Sequence, residues 1–151
     1  MKNNTPKKKE RFTYIASVYL ILIRKRKLLL LRRCNTGYED GKYGLVAGHM
    51  DGNESPTTAM IREAKEEAGL KLQARDLQMV HVMHRKQEDE RIDFFFTASK
   101  WEGEPVNMEP DRCDDLSWFP LSELPTNIIP FIQIALTHFK NKGTYSEFGW
   151  D

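Results

Sequence analysis

Three glutamates, Glu63, Glu66 and Glu67, stand at positions i, i+3 and i+4 of a stretch rich in helix-favouring residues. On a helix that spacing puts their carboxylates on one face, within about a turn of one another. Such a run is commonly a solvated helix surface, because like charges this close repel. Its neighbours point elsewhere. Arg62, four residues before Glu66, pairs with it or with Glu54 and holds the carboxylates in place. Gly48 and Gly52 mark a turn just upstream. Hard divalent cations such as Mg²⁺ take carboxylate oxygens and complete their coordination with water and substrate phosphates. A carboxylate cluster beside a glycine-rich turn suits that chemistry.

The helix that must carry these residues has clear limits. Ser55 is an N-cap, Pro56 suits the first helical position, and Gly69 lies just past the end. Its other side carries Ile61, Ala64 and Ala68, small enough to let it lie close on a sheet. Upstream, β-branched and aromatic residues over 12–23 and 27–33 read as a strand hairpin, followed by a loop over 34–44 and a short strand over 45–48. Downstream, strands are predicted over 77–85 and 91–100 around a charged turn, with a shorter strand near 116–119. A final helix over 128–142 carries the apolar stripe Ile129, Ile132, Leu136 and Phe139. Strands on either side of a first helix, with a second helix at the end, predict an α/β fold, an α/β/α sandwich around a mixed β-sheet.

The chain of 151 residues is the size of one domain, with a formal charge of +1, 40% hydrophobic and 30% charged residues. That balance supports a packed core and argues against a dedicated binder of nucleic acid or of membrane surfaces. Residues 1–11 are expected to be a disordered basic tail, leaving 12–151 as the single domain. Cys34 and Cys113 lack a metal or redox spacing and are too few for a disulfide framework, which points to the cytoplasm. The run over 15–23 is followed by the basic cluster 24–27 and is too short to span a membrane.

The segment from Gly48 to Leu70 resembles the Nudix box: Gly48, five residues, Glu54, seven residues, Arg62-Glu63, then Glu66-Glu67, Gly69 and the aliphatic Leu70. The resemblance implies a Nudix-like fold and a hydrolase that cleaves a diphosphate bond with Mg²⁺, or Mn²⁺ in its place. It makes Gly48, Glu54, Glu63, Glu66 and Glu67 the metal-binding set and Glu63, Glu66, Glu67 and Arg62 the catalytic residues, with Glu63 or Glu67 as the base. Four positions depart from the family pattern. Val46-Ala47 stand where many relatives have Pro-Gly, Asn53 replaces a glycine, and Ala64 is smaller than the usual aliphatic. Asn is the non-glycine residue that best tolerates a left-handed backbone, so the turn is expected to survive.

Further along, Asn107-Met108-Glu109-Pro110-Asp111-Arg112-Cys113 followed by Trp118 resembles a segment of MutT-like nucleoside triphosphate diphosphatases. This implies a nucleoside triphosphate, oxidised or not, cut to the monophosphate and pyrophosphate, with Glu109 adding a ligand or base. Other nucleoside diphosphate derivatives, such as nucleotide sugars or ADP-ribose, and a non-catalytic nucleotide sensor are the alternatives. Arg33 is a candidate for phosphate or base contact, and Phe94, Phe96, Trp118 and Phe131 for stacking on the base. The partner is a small nucleotide, and the chain a monomer or homodimer.

Overall fold

The computed structural model describes residues 7–151. The tail expected over 1–11 lies partly outside the described residues, and its described part, 7–11, is exposed. Among the described residues, nine strands and two α-helices follow in the order β1 (Ile15–Ile21), β2 (Ile23–Arg24), β3 (Lys27–Arg33), β4 (Tyr43–Gly44), β5 (Val46–His49), α1 (Pro56–Ala68), β6 (Leu77–Lys86), β7 (Glu90–Ala98), β8 (Cys113–Pro120), α2 (Pro130–Lys140) and β9 (Tyr145–Phe148).

The strands form two sheets. One has the order β5-β1-β7-β6-β9, with β1 parallel to β7, β6 parallel to β9 and the other pairs antiparallel. In the second, β3 pairs with β2, β4 and β8. Successive side chains of a strand point to opposite faces, and here both faces are apolar. Val18 and Leu20 join Leu29, Leu31, Phe96 and the α1 residues Ala59, Met60, Ala64 and Ala68 in one core. Tyr19 and Ile21 join Leu28, Leu30, Phe95 and the α2 residues Phe131, Ile132 and Ala135 in the other. A sheet buried on both faces with a helix against each is the α/β/α sandwich predicted from the sequence. No helix among the described residues is long and apolar enough to cross a membrane.

The limits of α1 are those read from the sequence. The Ser55 side chain accepts from the Thr58 N–H, Pro56 opens the helix, and Gly69 closes it with φ 66° in the left-handed region. Asn53 does adopt the left-handed backbone, with φ 52°. The expected hairpin is different in kind: β1 pairs with β5 and β7, and only the two-residue β2 turns back on β3. Residues 12–14 precede the first strand, β4 interrupts the expected loop, and β8 is longer than predicted. The strand β9 had no sequence expectation at all. Its parallel pairing with β6 depends on α2 carrying the chain back along the sheet.

Candidate active site

The strand β5 lies at an edge of its sheet, so its outer backbone groups are open to another partner. The Glu67 carboxylate takes that place: Ala47 N–H donates to Glu67 Oε2 at 3.0 Å. One residue on, a Cβ added to Gly48 would fall 2.0 Å from Glu63 Cδ, so only glycine leaves Glu63 room beside the strand. Arg62 ties the remaining acids together. Its Nη2 donates to Glu54 Oε1 at 2.8 Å and to the His49 carbonyl at 3.0 Å, while Nη1 donates to Glu63 Oε1 at 2.7 Å and Glu66 Oε2 at 3.3 Å. Glu54 also accepts the Asp51 N–H at 2.8 Å, which closes the turn onto the helix.

These contacts divide the acids by protonation. The hydrogen bond from Arg62 holds the Glu54 carboxyl below its ordinary value. Burial pushes Glu63 up, against the pull of Arg62. Burial pushes Glu67 up to about 8, although the Ala47 N–H works the other way. Glu67 therefore sits in the range where a carboxyl exchanges protons near neutral pH.

A cleft of about 500 Å³ starts at these acids and runs around the edge of β5 onto the α2 face of the sheet, where Tyr19, Arg85, Arg91 and Phe131 line it. The buried Arg85 donates from Nε to Asp93 Oδ2 at 2.6 Å, and its guanidinium lies 3.8 Å from the Phe131 ring centre. The combination of a carboxylate-bearing helix, a glycine-framed turn and a cleft with cationic walls has a family counterpart. A profile of the NUDIX domain matches residues 13–139. The chain belongs to the Nudix family.

Among solved structures, this Nudix hydrolase is similar to the MutT NUDIX hydrolase from Burkholderia pseudomallei, at 28% identity and a TM-score of 0.77 over 83% of this chain and 98% of the other. It shares its fold with the MutT protein from Methanosarcina mazei Go1, at 21% identity and a TM-score of 0.74 over 85% and 94% of the two chains. A structure described as an ADP compounds hydrolase has the same fold at 23% identity and a TM-score of 0.69, over 87% and 74%.

Within the Nudix fold the expected site residues separate into two groups. Gly48, Arg62, Glu63, Glu66, Glu67, Arg33 and Glu109 all line the cleft, as does Phe131, while Glu54 stands behind Arg62. Phe94, Phe96 and Trp118 do not line it. Phe96 is buried in the α1 core and Phe94 packs against it, because the cleft lies over the opposite face of β7, the one that carries Asp93 and Phe95. Trp118 packs against the α1 core as well, stacks with Trp101 at 6.3 Å and is capped by the Arg24 guanidinium at 4.5 Å. Arg33 spends two donors on its own loop, to the Tyr38 carbonyl at 2.8 Å and Thr36 Oγ1 at 3.1 Å.

Sequence reasoning missed Ser17, Tyr19, Tyr38, His49, Arg85 and Arg91, which also line the cleft. A signal existed for part of this set: Ser17 is a polar residue at an inward position of an apolar strand, and Asp93, which does not line the cleft but holds Arg85, is a buried acid at an inward position of another. Among the described residues no three acidic, His or Cys side chains already converge on a common point, since Glu54, Glu63 and Glu66 are turned onto Arg62. The donor set nonetheless fits a hard divalent cation. It consists of carboxylate oxygens, those of buried Glu63 and half-buried Glu67 among them, grouped where Gly48 leaves space at a strand edge.

Proposed function

We propose that this Nudix hydrolase cleaves a nucleoside triphosphate to the monophosphate and pyrophosphate, with Mg²⁺ as its cation and Mn²⁺ as a substitute. The observation that carries this reading is the shape of the cleft, which has acids at one end and aromatic walls of Tyr19, Tyr38 and Phe131 at the other. A polyphosphate chain fits the first end and a nucleobase the second. The likeness to a MutT NUDIX hydrolase supports a triphosphate. The shared fold with an ADP compounds hydrolase keeps a second reading, in which the substrate is a nucleoside diphosphate derivative.

Glu63, Glu66 and Glu67, with Glu109 facing them, would hold the cation. Such a cation supplies charge neutralisation at the diphosphate oxygens and acidifies water. Arg33 and Arg112 line the same stretch of cleft and add positive charge along the phosphate chain. The Oε2 of Glu67 accepts the Ala47 N–H, and the lone pair of Oε1 not given to the cation would accept the proton of the attacking water. Water oxygen bonds to the α- or β-phosphorus as the P–O bond bridging the two breaks, and the electron pair of that bond stays on the bridging oxygen, which leaves with pyrophosphate or with the nucleoside monophosphate respectively. Arg62 gives its donors to Glu54, Glu63, Glu66 and the His49 carbonyl and so orients the acids; its part is positioning. A reducing cytosol suits both free thiols, Cys34 and Cys113.

The test is product analysis with Mg²⁺ across nucleoside triphosphates, nucleotide sugars and ADP-ribose. Pyrophosphate with monophosphate is the expected pair; inorganic phosphate alone, or no product, overturns the assignment. Turnover confined to ADP-ribose or nucleotide sugars would select the second reading. In Glu67→Gln, turnover is expected to fall by about 10²–10⁴ with the fold intact, and full activity would remove Glu67 from the role of base.

A further inference from the structure

The α2-side floor of the cleft contains a polar group with no structural use. Ser17 is only 2% exposed, yet its Oγ has no hydrogen-bond partner. A buried hydroxyl without a partner is costly, so its retention asks for an explanation. Strand register sets its surroundings: Ser17 on β1 lies between His49 on β5 and Asp93 on β7. Tyr19 follows two residues on along the same face.

The acceptors around Ser17 are already engaged. Arg85 Nε and Nη2 occupy both Asp93 oxygens, at 2.6 and 3.3 Å. Arg91 holds both oxygens of Asp89, at 2.6 and 3.0 Å, and its Nη1 donates to His49 Nε2 at 3.0 Å. The donors are not exhausted. Tyr19 O accepts from Arg85 Nη2 at 3.3 Å, which leaves its own O–H free. Ser17 O–H is uncommitted, and the Arg85 guanidinium has more N–H groups than the acceptors it meets. A buried ion pair such as Arg85–Asp93, with side chains 3% and 0% exposed, is poor value for stability alone and serves here to fix a guanidinium at the bottom of a cleft.

Apart from the Ser17 oxygen itself, the spare groups of the floor are donors, and such a floor complements a ligand edge made of acceptors. Guanine offers O6 and N7 and thymine or uracil offers O4, whereas adenine and cytosine present an exocyclic amine that would meet donors head-on. Resting on the reading of the site as one for nucleotides, we propose that Ser17, Tyr19 and Arg85 are its base-recognition floor, selecting bases with an oxygen at purine C6 or pyrimidine C4 over bases with an amine at that position. Tyr38 lines the same cleft and, 42% exposed, offers an aromatic face to the ring. The distance from acids to floor is short, because β1 lies one strand spacing, about 4.8 Å, inside the edge strand β5.

The experiment is calorimetric binding of GMP, UMP, AMP and CMP to the Mg²⁺-loaded protein and to Ser17→Ala, beside kcat/KM on the four triphosphates. Wild type is expected to favour GMP and UMP by about fivefold or more. Ser17→Ala should cut that preference by roughly three- to tenfold while melting no lower than wild type, because the hydroxyl bonds to nothing in the free protein. Equal binding of the four bases, an unchanged preference in Ser17→Ala, or no monophosphate binding at all overturns the proposal. A uniform loss for all bases together with a lower melting point also overturns it, by showing Ser17 to be structural. Selective binding without cleavage of any triphosphate would uphold the floor and remove the hydrolysis reading; cleavage without base preference would do the reverse.

Discussion

A methyl group at position 48 has no place to go, since an added Cβ would lie 2.0 Å from Glu63 Cδ. The obstructing atoms are the far end of a flexible side chain, so Gly48→Ala should fold with little change in melting temperature while Glu63 is driven from its position. Displacement of a reacting group by about 1 Å costs on the order of 10²-fold in rate, and a loss of that size is expected in steady-state turnover. Near-normal activity would show that the position of Glu63 is unimportant. The acids around Gly48 were legible in the sequence because they are neighbours on one helix, where i, i+3 and i+4 fix their proximity. Ser17, Arg85 and Asp93 were not, because only strand pairing unites residues so far apart in the chain. Phe94 and Phe96 were correctly placed in a strand, but alternation alone does not say which face looks into the cleft.

At the level of elements, α1 is the platform for the chemistry, and its first turn rests on one side chain. Ser55 Oγ accepts the Thr58 N–H at 3.1 Å. Loss of an N-cap costs about 1 kcal/mol, so Ser55→Ala is expected to lower the melting temperature by roughly 2–4 °C in a chain of this size, measured by thermal unfolding. No change would mean that Pro56 and the Asn53 turn hold the helix end without the cap. This helix was readable because caps, proline and glycine act locally. The two-residue strands β2 and β4 and the terminal β9 were not, since each is a strand only by virtue of the neighbour it pairs with. The break at Leu22, which parts β1 from β2, is likewise a product of two sheets competing for one apolar run.

For the molecule as a whole, stability should depend on pH and cation together. The folded Glu67 carboxyl, raised from 4.5 to about 8, binds its proton more tightly than in the unfolded chain. Its contribution to stability is therefore complete at pH below about 4.5 and is lost as pH rises through about 8. The buried Glu63 acts in the same direction. Cation binding needs both acids ionised, so added Mg²⁺ should raise the melting temperature more at pH 8 than at pH 6. Thermal melts across that range, with Mg²⁺ or with a chelator, would show it, and a Mg²⁺ effect that shrinks as pH rises would contradict it. The chelator is expected to abolish turnover and leave the circular dichroism spectrum unchanged. Arg62 is the reason for the second half of that expectation. A cation belonging to the protein itself already stands among Glu54, Glu63 and Glu66, so the chain reaches its folded shape without an ion from the cell. The supply of divalent ion then decides how many molecules work and how well they resist heat, not whether they reach their fold.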